Sequence, residues 1–531
     1  MSTLPPALSQ TFPTVLSLSR RVALAGLLFA AIGLSARADV RLAALFSDNM
    51  VLQRDMPIKI WGWVGDNEPV TVAFRHQKVT LPGGPAGRWT VTLAPEKAGG
   101  PDPLIILGNN SVEVKNVLVG EVWICSGQSN MEFPLTGWGV RPPHSASDIA
   151  NATNPNLRLF TVPKLKAKEP VEDVKASWQL CTPETVPNFS AVAYYFGQTL
   201  QASLHVPVGL IHTSWGGSPV EVWISEDVLR SSPEYLRDIL EPYPRQLRDY
   251  QLAVAKWEQA KADTEKAGKK FDQGHPWEPW RPAELYNGMI APLIPFAVRG
   301  AIWYQGESNA DRAWQYRHLY PDMIANWRRD WGQNQFAFLA VQLAPWDKGR
   351  QRVPALINAR PVQSDWAELR EAQVVATKVL PQVGLAVITD VGDKDDIHPV
   401  QKQPVGERLA LAARVIAYGE PIYGLSPTFK SVKFSGRQAT VTFDHPGRGL
   451  VAHDGKLTGF AVAGADRKFQ WADAEICGKN RVAVSSPLVP RPVAVRFGWD
   501  DFPIVNLFSR DGLPVSPFRT DDFPMTTAPK R

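Results

Sequence analysis

Cysteine is scarce in this chain, which has 3 among its 531 residues. Three cysteines can form at most one internal bridge and must leave a free thiol, so a disulfide-stabilised scaffold is excluded. Net charge is low as well. The formal charge of +5 includes Arg20, Arg21 and Arg37 near the amino terminus, and the rest of the chain has 54 basic against 52 acidic side chains. A general basic field for nucleic acid is therefore excluded.

The amino-terminal apolar run is too short to span a membrane. Residues 22–34 are thirteen uncharged, mostly apolar residues, whereas a spanning helix needs about 20. Arg20 and Arg21 precede the run and Ala-Arg-Ala at 36–38 follows it, as in a cleaved export leader. We expect residues 1–38 to be removed on export to the periplasm or the extracellular space, leaving no membrane attachment. Because of the arginine pair, both the general secretory route and the twin-arginine route are possible for this export.

The composition is that of a globular protein with several domains. Hydrophobic residues make up 44% of the chain, and its length predicts two or three domains. Short alternating apolar stretches broken by Gly, Pro and Asn occupy residues 39–118 and return at 419–531, which predicts an antiparallel β-domain at each end. Residues 226–284 predict a helical insertion followed by an irregular loop.

The middle segment, residues 119–418, has a different pattern. Continuous apolar stretches predict strands that are buried on both faces, at residues 119–125, 208–212, 300–304, 336–342 and 384–389. Helical stretches lie between them. Val192 and Phe196 lie on one and Leu319 and Met323 on another, and a third opens with Asp365 and Glu368 in capping-box spacing, which predicts Asp365 as its cap. This alternation predicts an α/β fold with a doubly wound parallel sheet and a functional site at the carboxyl ends of its strands.

Three loops that follow predicted strands are unusually polar and are expected to meet at that edge. They are SGQSNME at 126–132, QGESN at 305–309 and DVGDKDDIHP at 390–399. Ser129 is a candidate nucleophile for acyl transfer, because Gly127 permits a tight turn before it and a helix start after it would direct N–H groups at the reacting oxygen. A Gly-x-Ser sequence is also common in ordinary turns, and Met131 stands where the α/β-hydrolase elbow has Gly.

The third loop supplies a candidate base. Asp395 and His398 stand in Asp-x-x-His spacing, so the carboxylate can hold the imidazole within one short segment. The alternative is a cation-binding acidic turn, because Asp390, Asp393 and Asp396 crowd the same loop. A zinc site is disfavoured by the single His and the lack of a nearby Cys, and acyl transfer by this route needs no metal and no organic cofactor.

The motifs together resemble those of the sialate O-acetylesterase family, a group of SGNH-like (GDSL-like) carbohydrate acetylesterases. The resemblance spans residues 42–519 and rests on the following motifs: GQSNME at 127–132, TSWGGSPVE at 213–221, WYQGESN at 303–309, DDIHP at 395–399 and GLPVSPFRT at 512–520. It implies an SGNH-hydrolase-like fold in which Ser129 attacks an acetyl carbonyl, His398 transfers the proton and Asp395 orients the imidazole.

The same resemblance implies the oxyanion hole. Backbone N–H groups of Ser129 and Gly217 are expected there, together with a side-chain amide from Gln305 or Asn309. The usual third block reads Gly-x-Asn, whereas here Gly is followed by Glu-Ser-Asn, so the choice between the two amides stays open. Glu307 either supports this loop or meets solvent.

Tryptophan is abundant, at 19 residues, and its ring faces suit the C–H faces of sugars. Trp138 and Trp215 are expected to line a sugar pocket, with packing of the loops as the alternative, and Trp303 on its strand is expected in the core.

These features predict an exported serine esterase whose partner is an acetylated carbohydrate, with no nucleic-acid partner. O-acetylated sialic acid is the first expected substrate, and acetylxylan or another glycan is the second. A non-catalytic carbohydrate-binding protein on the same scaffold is the alternative from another class. The intact Ser129, Asp395 and His398 argue against it. Oligomeric state has no signal in the sequence.

Overall fold

The computed structural model describes residues 39–357 and 359–529, so the predicted leader lies outside the described residues. The amino-terminal part consists of short strands: β1 (Arg41–Leu42), β2 (Val51–Gln53), β3 (Ile58–Val64), β4 (Val70–Phe74), β5 (Gln77–Leu81), β6 (Gly87–Leu93) and β7 (Gly99–Leu107). β1, β3 and β6 form one antiparallel sheet, and β4 pairs antiparallel with β5 and β7. Strand β6 buries Trp89, Val91 and Leu93 and exposes the residues between them, so the predicted alternation is confirmed.

The next strand, β8 (Ser111–Gly127), is 17 residues long and belongs to two structures at once. Its first half pairs antiparallel with β7, and β2 runs parallel beside its middle. Its second half lies at the centre of a parallel sheet. The predicted domain boundary at residue 118 therefore falls inside a strand. The cores are also continuous across it, because the Phe46 ring contacts Trp61 at 4.6 Å and Phe296 at 5.6 Å.

The parallel sheet is completed by β9 (Asn154–Thr161), β10 (Gln179–Cys181), β11 (Val208–Ser214), β12 (Gly300–Tyr304), β13 (Ala337–Val341) and β14 (Val383–Ala386). The strand order is β10-β9-β11-β8-β12-β13-β14, parallel from β9 to β14, with β10 as an antiparallel edge. The chain adds β9 and β11 on one side of β8 and the later strands on the other. A crevice at the carboxyl end of β8, where this direction changes, is where open α/β sheets bind ligands.

Helices cover both faces of this sheet. The helices of the described residues are α1 (Ser129–Glu132), α2 (Ser145–Ala150), α3 (Ala191–Leu204), α4 (Glu226–Ser231), α5 (Pro233–Tyr235), α6 (Tyr243–Lys266), α7 (Ala313–Trp331), α8 (Pro354–Ile357), α9 (Asp365–Val379) and α10 (Lys402–Ile416). Successive side chains of β12 enter different cores: Ile302 packs in the cluster formed by α3 and α10, and Trp303 packs in the cluster of α7 and α9. The α/β architecture with a largely parallel sheet agrees with the prediction.

The predicted helical positions fall on α3, α7 and α9, with one shift at the start of α9. The Oγ of Ser364 accepts the N–H of Ala367 and caps that helix. Asp365 is therefore its first residue and not its cap.

The predicted insertion contains α4, α5 and α6, together with a π-helical turn at Leu236–Leu240. Helix α6 has no buried residue along its 24 positions, so it is a solvated helix. After it, residues 269–281 run without regular structure, and Trp277 in this loop is 85% exposed.

The carboxy-terminal part is an antiparallel β-module with its own core. Its strands are β15 (Thr428–Ser435), β16 (Gln438–Asp444), β17 (Leu450–Ala452), β18 (Phe460–Ala463), β19 (Phe469–Trp471), β20 (Asp473–Ile476), β21 (Arg481–Ser485), β22 (Ala494–Phe497), β23 (Leu507–Ser509) and β24 (Phe518–Arg519). The fully buried Arg370 of α9 fastens it to the sheet domain by donating to the carbonyls of Asp500 at 2.7 Å and Asp501 at 2.9 Å. These bonds satisfy a guanidinium that is costly to bury alone.

Two features of the sequence can be compared with this fold directly. All three cysteines lie within the described residues and are free, with Cys125 and Cys181 buried and Cys477 exposed. Among the described residues, no helix is both long enough and apolar enough to cross a membrane.

Candidate active site

The nucleophile turn follows β8 at the centre of the sheet. Gly127 has φ +138, and a Cβ there would lie 2.2 Å from the carbonyl oxygen of Tyr304 on neighbouring β12. Only glycine fits both the conformation and the close approach. The next amide, of Gln128, donates to the same carbonyl at 2.9 Å. Ser129 then opens the four-residue helix α1, so its hydroxyl is presented at the carboxyl edge of the sheet.

The structure brings Ser129 and His398 together. The loop after β14 carries His398 back over the sheet edge, and its Nε2 lies 2.9 Å from Ser129 Oγ. Acidic side chains shape this loop. Asp390 pairs through both oxygens with Arg408 at 2.6 Å each, and Asp393 Oδ1 accepts the N–H groups of residues 395 and 396. These contacts account for two of the carboxylates that suggested a cation-binding turn.

The carboxylate beside the imidazole differs from the predicted one. Asp395 pairs with Lys394 and its side chain is 64% exposed, and among the described residues no hydrogen bond or ion pair joins it to His398. Asp396 instead has Oδ1 3.6 Å from His398 Nδ1, and the same oxygen accepts the backbone N–H of His398 at 2.8 Å. The turn held by Asp393 directs residue 395 outward and residue 396 toward the ring, which sequence spacing alone does not reveal.

Electrostatics favour a neutral imidazole. Burial lowers the pKa of His398, and the nearby ammonium of Lys402 lowers it further, whereas Asp396 and Glu132 act in the opposite direction. The net effect is a lowered pKa, so the ring is largely uncharged at neutral pH. An uncharged ring nitrogen can accept the proton of a serine hydroxyl.

The second motif loop lies against the nucleophile. A Cβ on Gly216 would be 3.3 Å from the Cβ of Ser129, and the N–H of Gly216 donates to Glu132 Oε2 at 2.7 Å. This bond fixes the turn so that Gly217, at φ +75, follows in open space. Among the hydrogen bonds of the described residues, none uses the amide of Ser129 or of Gly217 as donor. Both N–H groups are free to serve an oxyanion.

The two candidate amides of the third block are hydrogen-bonded to each other and to the second motif loop. Gln305 and Asn309 are fully buried. Gln305 Nε2 donates to Asn309 Oδ1 at 2.7 Å and to the Ser218 carbonyl at 3.2 Å. Asn309 Nδ2 donates to Glu221 at 2.9 Å. These bonds brace the second and third motif loops against each other, and the participation of either amide in an oxyanion hole stays a prediction.

The three tryptophans considered from the sequence lie in two kinds of environment. Trp138 is 45% exposed, and its ring stands 5.2 Å from the His398 ring, edge to face. Trp215 is half-buried, directly before Gly216, and packs 5.6 Å from Trp280. Both can line a substrate site. Trp303 is fully buried against other aromatic rings, so it belongs to the core as expected.

A second serine–histidine pair lies nearby on β11. His212 Nε2 is 2.6 Å from Ser214 Oγ. Both residues are buried, burial lowers the pKa of His212 to about 4, and its Nδ1 has no partner. Without solvent access or an orienting carboxylate, this pair lacks what a nucleophile needs. The half-buried pair of Ser129 and His398 at the sheet edge is the chemically competent one.

Sequence reasoning missed several side chains at this site. Asn130 and Glu132 lie inside the nucleophile motif, and that position was the only available signal for them. Lys402 opens α10 and is fully buried, although a lysine at a helix start is normally solvated.

Among the described residues, no cluster of three or more His, Cys, Asp or Glu side chains is arranged to hold a metal ion.

Known proteins are similar to this one over most of the chain. The family model described as "Carbohydrate esterase, sialic acid-specific acetylesterase" matches residues 266–412, which include His398. The sialate O-acetylesterase of Mus musculus is 30% identical over 519 residues, covering 90% of this chain and 92% of that protein. The Rattus norvegicus enzyme is 29% identical over 524 residues, again covering 90% and 92%.

A solved structure agrees with this relationship. A carbohydrate acetylesterase from Xanthomonas citri superposes with a TM-score of 0.76 at 38% identity, covering 91% of this chain and 100% of that chain. With full-length relatives at this identity, the chain belongs to the sialate O-acetylesterase family, whose members are carboxylic ester hydrolases.

Proposed function

We propose that this protein is a serine esterase that removes O-acetyl groups from carbohydrates through an acetyl-Ser129 intermediate. The observation that carries the proposal is the 2.9 Å contact between Ser129 Oγ and His398 Nε2. A hydroxyl within hydrogen-bond reach of a neutral imidazole is what nucleophilic acyl transfer requires. The position of this pair at the carboxyl end of β8, and the order of Ser before His along the chain, support an SGNH-hydrolase-like doubly wound fold.

In the proposed cycle, Ser129 Oγ attacks the acetyl carbonyl carbon while His398 Nε2 takes its proton. The N–H groups of Ser129 and Gly217 hold the tetrahedral oxyanion. Collapse of this intermediate breaks the bond to the sugar oxygen, which leaves as a hydroxyl with the proton from His398. Water then attacks the acetyl-serine, again losing its proton to His398, and acetate and free Ser129 are formed. Loss of one oxyanion donor costs on the order of 3 kcal/mol in comparable enzymes.

We assign the orienting carboxylate to Asp396 and not to Asp395. Asp396 Oδ1 lies 3.6 Å from His398 Nδ1, longer than a hydrogen bond but short enough to stabilise an imidazolium through charge. Catalytic hydrogen bonds are often loose in unliganded enzymes and tighten when substrate binds.

The nucleophile assignment has a direct test with a matched control. Ser129→Ala should abolish acetate release from a chromogenic acetyl ester, whereas Ser214→Ala removes the hydroxyl of the buried pair and should leave turnover largely intact. Circular dichroism of both variants checks the fold. Equal rates for Ser129→Ala and the parent reject the assignment. Labelling of Ser129 by an organophosphonate supports it, and glycan binding without any hydrolysis would favour the carbohydrate-binding alternative.

We propose O-acetylated sialic acid as the substrate. The matched family description and the names of the mouse and rat relatives support it, and so does a cation at the rim. The Lys164 side chain is 42% exposed, and its Nζ pairs with Glu132 at 2.6 Å and lies 5.4 Å from the Trp215 ring centroid. A sugar carboxylate can pair with such a group, whereas the acetylated xylose units of xylan carry no carboxylate.

Acetate release from O-acetylated sialic acids and from acetylated xylan, measured side by side, decides between these substrates. Lys164→Met should lower kcat/KM for the sialic acid and not for xylan, so the ratio of the two is the informative quantity. A preference of the parent enzyme for xylan would overturn the sialate assignment.

Export belongs to the proposal as well, because residues 1–38 lie outside the described residues. Cleavage after Ala38 predicts a mature protein that begins at Asp39. Amino-terminal sequencing of protein recovered from the periplasm or the medium tests this, and recovery of the intact chain from the cytoplasm would contradict it.

A further inference from the structure

A buried polar cluster lies directly behind the Ser129–His398 pair. It consists of Asn130, Glu307 and Lys402. Asn130 and Lys402 are fully buried, and Oε2 of Glu307 is buried without a partner. Buried charges are costly unless they are paired and hydrogen-bonded. A cluster of this kind beside Ser129 and His398 therefore points to a role in the site.

Its three members come from the three parts of the site. Asn130 directly follows Ser129 in α1, Glu307 opens the 3-10 helix Glu307–Arg312 of the third motif loop, and Lys402 opens α10 four residues after His398. The cluster therefore connects segments that are far apart in sequence and that must meet for the site to exist.

Asn130 makes the connection through both ends of its amide. Its Nδ2 donates to the carbonyl of Ile397 at 3.0 Å and to Glu307 Oε1 at 2.6 Å, and its Oδ1 accepts from Lys402 Nζ at 2.5 Å. An ammonium is only a donor, so it fixes the amide with oxygen toward Lys402 and nitrogen toward the two acceptors. The residue after the nucleophile is thereby tied to the residue before the base.

We propose that Lys402 is a positioning residue for ester hydrolysis: acting through Asn130, it fixes Ser129 relative to His398. This inference rests on the proposed function of the Ser129–His398 pair. Lys402 does not itself touch the substrate.

The charges around the imidazole determine in which direction loss of the Lys402 charge moves the pKa of His398. His398 is faced by Lys402 from α10, by Asp396 from its own loop and by Glu132 from α1. Burial lowers the pKa of Lys402 to about 7, with Glu307 and Asp396 acting in the opposite direction. Lys402 is therefore protonated below neutral pH, in the range where the lowered pKa of His398 lies. Removing its charge raises the pKa of His398.

The first test is Lys402→Met, with Lys430→Met as control. Lys430 is 57% exposed and pairs with Asp444 on the carboxy-terminal module, so its loss should leave turnover unchanged. For Lys402→Met we expect kcat on a small acetyl ester to fall roughly 100-fold, the effect of a small misplacement of reacting groups, with little change in KM. The acid limb of the kcat/KM profile should move to higher pH. A parent-like kcat and profile would overturn the proposal.

Two further variants separate geometry from charge, and they keep the proposal testable if Lys402→Met does not fold. Asn130→Ala breaks the tie without changing any charge, so kcat should fall while the acid limb stays in place. Glu307→Gln keeps an acceptor for Asn130 but removes the carboxylate that raises the pKa of Lys402, so the acid limb should move to higher pH with a smaller fall in kcat. Unchanged kcat for Asn130→Ala contradicts the positioning role of Lys402. An unmoved acid limb for Glu307→Gln contradicts the effect of the Lys402 charge on the pKa of His398.

The Ser129→Ala result distinguishes a failure of the proposed function from a failure of the role of Lys402. If Ser129→Ala remains active, the proposed function itself fails. If it is inactive while the Asn130, Glu307 and Lys402 variants behave like the parent, only the role of Lys402 fails.

Discussion

Replacement of Asp396 by Asn removes the carboxylate that faces the His398 imidazole and keeps a side chain of nearly the same size. The Oδ1 oxygen of Asp396 lies 3.6 Å from His398 Nδ1. In the proposed cycle His398 becomes positively charged as it accepts the serine proton, and Asp396 stabilises that charge. We expect Asp396→Asn to lower kcat/KM for a chromogenic acetyl ester.

The magnitude follows from the separation and the exposure of the two groups. Coulomb's law for unit charges at this distance gives about 5 kcal/mol at an effective dielectric of ~20 and about 1 kcal/mol in water. The Asp396 side chain is 56% exposed and that of His398 is 29% exposed, so screening by solvent favours the lower figure. A loss of roughly tenfold is therefore expected. This is far less than the loss of ~10⁴ that follows the same change at a buried triad aspartate.

The assay is the pH profile of kcat/KM for Asp396→Asn, with Asp395→Asn as the matched control. Asp396 raises the pKa of His398, so its removal should move the acid limb to lower pH, opposite to the shift expected for Lys402→Met. Asp395→Asn should leave both the rate and the limb close to those of the parent. A larger loss for Asp395→Asn than for Asp396→Asn would refute the geometric argument and restore the Asp-x-x-His pairing predicted from sequence.

Further predictions concern the turn beside the nucleophile, the exposed ring and the core. Gly216→Ala places a Cβ 3.3 Å from the Cβ of Ser129 and should lower kcat by about 100-fold through the displaced oxyanion turn, with little change in melting temperature. Trp138→Ala should raise KM for glycan esters with kcat nearly unchanged, as for a uniform binding contact, measured by steady-state kinetics. Trp303→Ala should lower the free energy of unfolding by about 3–5 kcal/mol, measured by denaturant titration; a loss below 1 kcal/mol would contradict its place in the core.

Sequence periodicity predicted the architecture that positions the site. Because parallel strands end at one edge, the polar loops after residues 125, 304 and 389 were expected to meet, and the contact between Ser129 and His398 agrees with that expectation. Strand β9 escaped prediction, since it begins Asn-Pro-Asn, a typical turn sequence, and carries Arg158 in its middle. The strand is held by pairing with its neighbour β11, which is tertiary context and not local propensity.

The finer assignments depended on loop conformation, which spacing does not determine. Asp395 and Asp396 are adjacent and chemically identical, and the turn held by Asp393 decides which of them faces the ring. Gln305 and Asn309 have the chemistry for an oxyanion hole, yet their strongest partners are each other and the second motif loop. Lys402 went unnoticed because burial of a lysine requires partners that only the folded chain brings together.

The continuity of β8 has a consequence for the smallest fragment that can stand alone. At about 3.3 Å per residue the strand's 17 positions extend at most roughly 56 Å, from the amino-terminal strands to the turn before Ser129. Cutting the chain at residue 118 would divide this strand in two. The remaining half of the central strand would lose its pairing with β2 and β7. A minimal catalytic fragment must therefore include β2 and β7, which makes the amino-terminal module part of the scaffold of the enzyme.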